Sequence, residues 1–229
     1  MKLIEKVALS FDDISLVPQK SKISSRYSNE IDISQYFGST RVSLPIINAP
    51  MDMVVSYSLC KCLVENGGIA LVHRFMTPLE QFDFYEALHY GIGKENGESN
   101  FSVGIALGVR DWKERVERTY SIGCRFYCID VAHGHHENVL NLAREIKEEY
   151  SDILLVAGNI CQYDAYRDLV QAGVDIVRVG VGGGSACSTR VKTGHGLPTL
   201  QSIIDCNEAK KQFGGRILAD GGIRDGGRS

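Results

Sequence analysis

Residues 152–182 read DILLVAGNICQYDAYRDLVQAGVDIVRVGVG. Two runs in this stretch, DILLVAG (152–158) and VDIVRVGVG (174–182), are rich in β-branched residues and almost continuously apolar. That is the pattern of strands covered on both faces. Between them, CQYDAYRDLVQAG (161–173) spaces its apolar residues as an amphipathic helix does and ends on Gly173, a residue suited to a helix C-cap. Strand, helix and strand without a hairpin turn predict parallel pairing.

The rhythm extends in both directions. PIINA (45–49), GGIALVH (67–73), FSVGIALG (101–108) and RFYCIDVA (125–132) precede the unit, and RILADGG (216–222) follows it. HENVLNLAREIKEEY (136–150) is a second clear helical pattern. Polar and glycine-rich residues gather where these runs end: Met51-Asp52, His73-Arg74, His133-Gly134-His135, Asn159, the 182–190 loop and Asp220-Gly221-Gly222. A doubly wound sheet concentrates its site at one switch point, whereas a (β/α)8 barrel gathers chemistry at the carboxyl end of many strands. The expected fold is therefore α/β, a (β/α)8 TIM barrel. Seven strands are counted, and the eighth strand with its following segment is expected to be missing from the chain. Residues 1–229 then form one incomplete catalytic barrel domain, with the first forty-odd residues as an extended segment or small hairpin on the outside or at the closed end.

Bulk properties narrow the partners. The 229 residues are 44% hydrophobic, enough for a sizeable core, and carry a formal net charge of -3. No basic footprint suggests nucleic acid, and KK in EAKKQF (208–213) reads as a solvated helix face. No apolar run approaches the roughly 20 residues of a membrane span, and the start MKLIEKVALSFDD lacks the pattern of a signal peptide. Seven scattered cysteines fit a reducing, cytoplasmic setting better than a disulfide scaffold. CKC (60–62) has no second pair at zinc spacing and is expected on a helix with one thiol buried.

GGGSACSTR (182–190) is the most unusual loop. It is not a dinucleotide fingerprint, because Ser185 stands where the last glycine belongs, and it lacks the Lys-Ser/Thr pair of a P-loop. It offers Cys187 either as an inert loop cysteine or as a nucleophile whose thiolate Arg190 or Lys192 favours. DVAHGHHENV (130–139) lacks the further ligands a metal needs, so Asp130 reads equally well as an acceptor for a sugar hydroxyl. ADGGIRDGG (219–227) offers an acid and exposed amides to a ribose and phosphate, or is simply a glycine turn.

Taken together, FDDISLVPQKS, PIINAPMDMV, GGIALVHRF, IDVAHGHHENV, VAGNI, VRVGVGGGSACSTRVKTGHG and ILADGGIRDGG resemble, in order and over nearly the whole chain, the IMP dehydrogenase and GMP reductase family. The resemblance implies a purine nucleotide substrate and a nicotinamide cofactor, NADPH for a reductase or NAD for a dehydrogenase. It implies Cys187 as the nucleophile at purine C2 and Thr189 as its companion. Ser185, Asp220, Gly221 and Gly222 are implied to hold phosphate and ribose, and Met51 to pack on the purine. Asp130 and Asn159 are implied near the cofactor, and the carbonyls of Gly182, Gly184 and Cys187 around a potassium ion. Family members are commonly homo-oligomers, often tetramers. Only 27 residues, 74–100, separate two strand runs between which the dehydrogenase usually carries its CBS-type regulatory insert. That spacing and CSTRVKTGHG favour the reductase, while NAPMDMV, VPQKS and DVAHGHH resemble the dehydrogenase. A third expectation, of another class, is an inactive or split barrel fragment that needs a second polypeptide.

Overall fold

The computed structural model describes residues 7–25, 27, 29–92, 102–184 and 189–223. The chain divides into two compact units, one made of Gln19–Asp130 with Lys147–Leu155, the other of residues up to Pro18, Val131–Ile146 and residues from Val156 onward.

The first unit opens with an antiparallel hairpin, β1 (Gln35–Phe37) and β2 (Thr40–Val42). Its two-residue turn needs the positive φ of Gly38 (62°), a conformation that glycine adopts without a Cβ penalty. Then follow α1 (Tyr57–Glu65), β3 (Ala70–Val72), α2 (Pro78–Gly91), β4 (Val103–Leu107), α3 (Trp112–Ser121) and β5 (Phe126–Asp130). β3, β4 and β5 pair in parallel, as the strand–helix alternation predicts. Phe37 of the hairpin meets Phe126 edge-on at 4.8 Å, so the hairpin packs where β5 begins. Gly104 makes room for that ring, since a Cβ there would lie 2.1 Å from Phe126.

Helix ends in this unit are specified locally. α2 starts with Pro78 behind a Thr77/Glu80 capping box, in which each side chain satisfies the other's backbone N–H. On α1, Cys60 is buried and Cys62 exposed, as CKC suggested.

The first expected strand differs. PIINA forms only a single parallel bridge, Ile47 to Ile69. Pro45 and Pro50 have no N–H to offer a ladder, and Ile46 N–H turns back to the Leu44 carbonyl. The Asn48 side chain takes the strand's place: its Nδ2 donates to Leu71 O (2.8 Å) and its Oδ1 accepts from Leu71 N–H (2.9 Å). A side-chain amide thus reproduces the two bonds a paired residue would make.

The second unit holds the start of α4 (Glu137–Glu149), most of β6 (Leu154–Ile160), α5 (Tyr163–Gln171), β7 (Ile176–Val179), α6 (Thr189–Thr193), α7 (Thr199–Phe213) and β8 (Arg216–Ala219). β6, β7 and β8 are again parallel and in chain order. α5 buries Ala165, Tyr166 and Leu169 on one face, and the chain leaves it through Gly173 at φ 94°. The amino-terminal segment is tied to the first turn of α7, where Gln201 N–H donates to Leu9 O at 3.1 Å. The construction is that of an α/β fold, parallel strands connected by helices, as expected for strands from a (β/α)8 barrel. Among the described residues no helix is long and apolar enough to cross a membrane.

Candidate functional site

Cys187 and Ser185 lie outside the described residues; the other residues singled out from sequence lie within them. Asp130, Asn159, Gly182, Gly184, Asp220, Gly221 and Gly222 fall at or just beyond the carboxyl ends of strands, whereas Met51 follows the isolated Ile47 bridge and Thr189 begins α6.

In the first unit, Asp130 closes β5 and Arg74 follows β3. Arg74 Nε donates to the Asp130 carbonyl (3.0 Å) and stands 3.9 Å from its Oδ2. The guanidinium passes over the Phe75 ring at 4.8 Å and beside Gly108, where a Cβ would sit 3.5 Å from Nη1. One cation therefore spans the ends of three strands. His73, just before it, is buried and accepts the Phe75 N–H at Nδ1 (3.1 Å), which places its own proton on Nε2. Burial holds its pKa below the usual 6.5, with the Asp52 carboxylate pulling the other way. Met51, 39% exposed, begins a turn in which Val54 and Val55 N–H both donate to its carbonyl. An exposed thioether on a tight turn is suited to packing on a flat ligand.

In the second unit, Asn159 near the end of β6 is the hub. Its Nδ2 donates to Gly180 O (2.7 Å) and to Asp220 Oδ2. Asp220 Oδ2 also pairs with Arg178 Nη2 at 3.1 Å. Arg178 sits in β7 with a side chain only 10% exposed, so the carboxylate neutralises a nearly buried charge. Both partners approach the same oxygen, Oδ2. The backbone of Asn159 is fixed from the other side. Its N–H donates to Val131 O and its carbonyl accepts from Gly134 N–H (2.8 Å). Gly134 is packed so closely that a Cβ would meet Asn159 O at 3.0 Å.

His135, next in that loop, is linked through Nε2 to Asp168 Oδ2 on α5 (2.8 Å), and Arg167 Nε donates to Oδ1 (2.8 Å). The Arg167 hydrogen bond, seconded by His135 and opposed by burial, keeps the Asp168 carboxyl below its usual pKa. His133 is exposed, and among the described residues no group of three His, Cys, Asp or Glu side chains is placed to hold a metal.

The glycine-rich loop is closed at its base by a bridge in which Leu197 N–H donates to Val181 O at 3.1 Å. Thr189 starts α6, and Gly182 takes φ 83° with the Arg190 Cβ 3.0 Å from where its own would be. Gly221 rests directly on Gly184, since a Cβ on Gly221 would lie 2.9 Å from the Gly184 Cα. The two glycine segments are thus packed backbone against backbone. Among the described residues, neither the Gly182 nor the Gly184 carbonyl accepts a backbone hydrogen bond.

Thr199, at the start of α7, is wedged between these segments. Its Oγ1 would be 2.0 Å from a Cβ on Gly183 and 3.1 Å from one on Gly222. The residue is 3% exposed, and among the described residues that hydroxyl has no hydrogen-bond partner. A buried hydroxyl without a partner costs about 1–3 kcal/mol. Thr199→Val, of the same shape, is therefore expected to leave the ligand-free protein as stable or about 1 kcal/mol more stable in urea unfolding. A clear loss of stability would mean that the hydroxyl is bonded.

Arg178 and the Arg74–Asp130 contact were not assigned from sequence. The available signal for Arg178 was a cation in the middle of an otherwise apolar strand run, a position that demands a buried counter-charge. The cysteines separate by environment. Burial pushes the Cys60 and Cys124 thiols up to about 11 and Cys206 up to about 12. Iodoacetamide at neutral pH is expected to label the exposed Cys62 and leave Cys60, Cys124 and Cys206 unmodified until the chain unfolds. Peptide mapping reads this, and rapid labelling of Cys124 in native protein would contradict the fold around it.

The profile of the IMP dehydrogenase / GMP reductase domain matches residues 8–228. The chain belongs to this family. Its curated relatives include a protein named GMP reductase from Aliivibrio fischeri (strain MJ11), 33% identical over 231 residues. Proteins named GMP reductase from Vibrio cholerae (serotype O1, strain M66-2) and Vibrio parahaemolyticus (serotype O3:K6, strain RIMD 2210633) are each 32% identical over 228 residues. Each alignment covers 97% of this chain and 64% of the relative, so the chain spans a little under two thirds of the length of these proteins.

Proposed function

We propose that the chain is a purine nucleotide oxidoreductase, and most specifically a GMP reductase converting GMP and NADPH to IMP, ammonia and NADP. The observation that carries this reading is the Asn159–Asp220–Arg178 cluster beside paired glycine backbones. Arg178 and Asn159 hold one carboxylate oxygen of Asp220 and leave the other to accept from a ribose hydroxyl. Ser185 and the Gly221 and Gly222 amides then hold the phosphate, and Met51 packs on the base. The reading treats the chain as one catalytic domain without a regulatory insert and places it in a homo-oligomer in the cytoplasm.

The chemistry assigned to the chain is nucleophilic. The Cys187 thiolate adds to C2 of GMP, and ammonia leaves with the proton it needs, giving a purine bound through sulfur. Thr189, at the start of α6, helps to protonate the leaving nitrogen. The nicotinamide cofactor supplies a hydride to C2 when bound. The C–S bond then breaks, sulfur leaves with its electron pair, and the product is IMP. Asp130 and Asn159 are the side chains proposed to face the cofactor. The Gly182 and Gly184 carbonyls, which accept no backbone hydrogen bond among the described residues, would hold a potassium ion, with the Cys187 carbonyl as a third oxygen.

A dehydrogenase reading, IMP and NAD to XMP and NADH, is favoured by NAPMDMV and DVAHGHH. Thermal unfolding of the full chain with GMP or IMP tests the binding part of the proposal. A nucleotide at 100 times its Kd raises stability by about 2.7 kcal/mol. If neither nucleotide moves the midpoint at millimolar concentration, the chain does not bind substrate by itself, and the fragment reading replaces this one.

A further inference from the structure

We infer that Gln81 and Arg115, which lie outside every motif above, are positioning residues that hold Arg74 on Asp130. The ladder between β3 and β4 ends at Val72 and Ile105. Carbonyls just beyond it, His73 O and Ala106 O, both receive the side-chain amide of Gln81 at 2.9 Å. Gln81 is wholly buried on α2, so no water substitutes for those bonds.

The amide could face either way, and Arg115 decides which. Its Nη1 donates to Gln81 Oε1 at 2.9 Å. A guanidinium has only donors, so a flipped amide would set N–H against N–H and its oxygen against two carbonyl oxygens. Arg115 is itself 4% exposed and gripped at Nη2 by Met76 O (2.8 Å) and Asp111 Oδ2 (2.7 Å). Asp111 adopts φ 41°, in the left-handed region, while making that contact.

The consequence lies in the turn 73–76. Its first carbonyl, His73 O, is pinned by Gln81, and its last, Met76 O, by Arg115. Arg74 lies between the two fixed points, with Nε on Asp130 O at 3.0 Å and 3.9 Å from the carboxylate. A shift of about 1 Å in the turn breaks a hydrogen bond of that length. The polar network under α2 and α3 therefore sets where a cation stands at the strand ends. What Asp130 does there rests on the proposed function; the positioning itself does not.

The test is made on the ligand-free full chain by solvent exchange of the Arg74 Nε–H, followed in its arginine side-chain nitrogen signal. Gln81→Glu keeps an oxygen on Arg115 but turns its other oxygen against two carbonyls, so it releases the turn and retains the buried pair. Exchange at Arg74 is expected to accelerate at least about tenfold, the loss of one held hydrogen bond. Arg115→Lys keeps the charge beside Asp111 and loses the fork that orients Gln81; it is expected to act in the same direction and decides the matter if Gln81→Glu does not fold. In both variants the Kd for NADPH rises about tenfold while that for GMP stays within twofold. Arg74 exchange unchanged in a folded variant overturns the inference. A wild-type chain that binds no nicotinamide nucleotide refutes the proposed function, while the Arg74 signal still judges the positioning.

Discussion

Cys187→Ala is expected to reduce turnover of GMP with NADPH by about a thousandfold or more, the scale on which removing a covalent nucleophile acts. In the proposed mechanism the Cys187 thiolate supplies the electron pair that bonds C2 and later departs, and alanine has none. The substitution leaves the contacts assigned to ribose and phosphate in place, so affinity for GMP should change little. Steady-state kinetics combined with calorimetric titration separates the two effects. A variant that keeps a tenth of wild-type turnover would rule out covalent catalysis through this cysteine.

The second large effect is on stability. Asp220→Ala removes the carboxylate that pairs with Arg178, whose side chain is only 10% exposed, and that accepts from Asn159 Nδ2. Breaking a buried pair by deleting one member costs about 3–5 kcal/mol, because the remaining charge stays desolvated. At the lower bound, the fall in Tm is roughly 6–12 °C for a chain of this size. Asp220→Asn keeps the shape and a hydrogen-bonding oxygen, so it should lose less. Under the proposed function both variants should also lose nucleotide binding, because each alters the oxygen proposed to accept from ribose. Urea unfolding with an unchanged m-value reads the stability cost. A loss below about 1 kcal/mol would mean that Arg178 is not neutralised by this carboxylate.

The parallel α/β construction could be read from sequence because periodicity and glycine placement act locally. The runs at 152–158 and 174–182 became β6 and β7, and Gly173 left α5 with the positive φ its position suggested. PIINA read as a strand because its composition is that of one, yet two prolines and the Asn48 side chain replaced the ladder with a single bridge. No residue count reveals that substitution, since the side-chain amide and Leu71 are 23 positions apart.

The polar networks were legible only in part. Asp220 and Asn159 stood at strand ends, where chemistry is expected. Arg178 was hidden inside an apolar run, and its partner arrives 42 residues later. Gln81 and Arg115 lie on helices, where a glutamine and an arginine ordinarily read as a solvated face. Their burial follows from the gap that opens between β3 and β4 beyond the last paired residues, a three-dimensional feature. The family match shows what kind of chain this is, and within each unit the networks explain why particular side chains are held where they stand.

The central claim, that this chain reduces a purine nucleotide at C2, is tested most directly by mixing the full chain with GMP and NADPH. The disappearance of reduced nicotinamide and the release of ammonia are followed together. The account predicts that both proceed at equal rates, require both substrates and vanish in Cys187→Ala. It is contradicted if NADPH is not consumed with GMP at any nucleotide concentration that stabilises the protein, or if the same preparation instead reduces NAD with IMP.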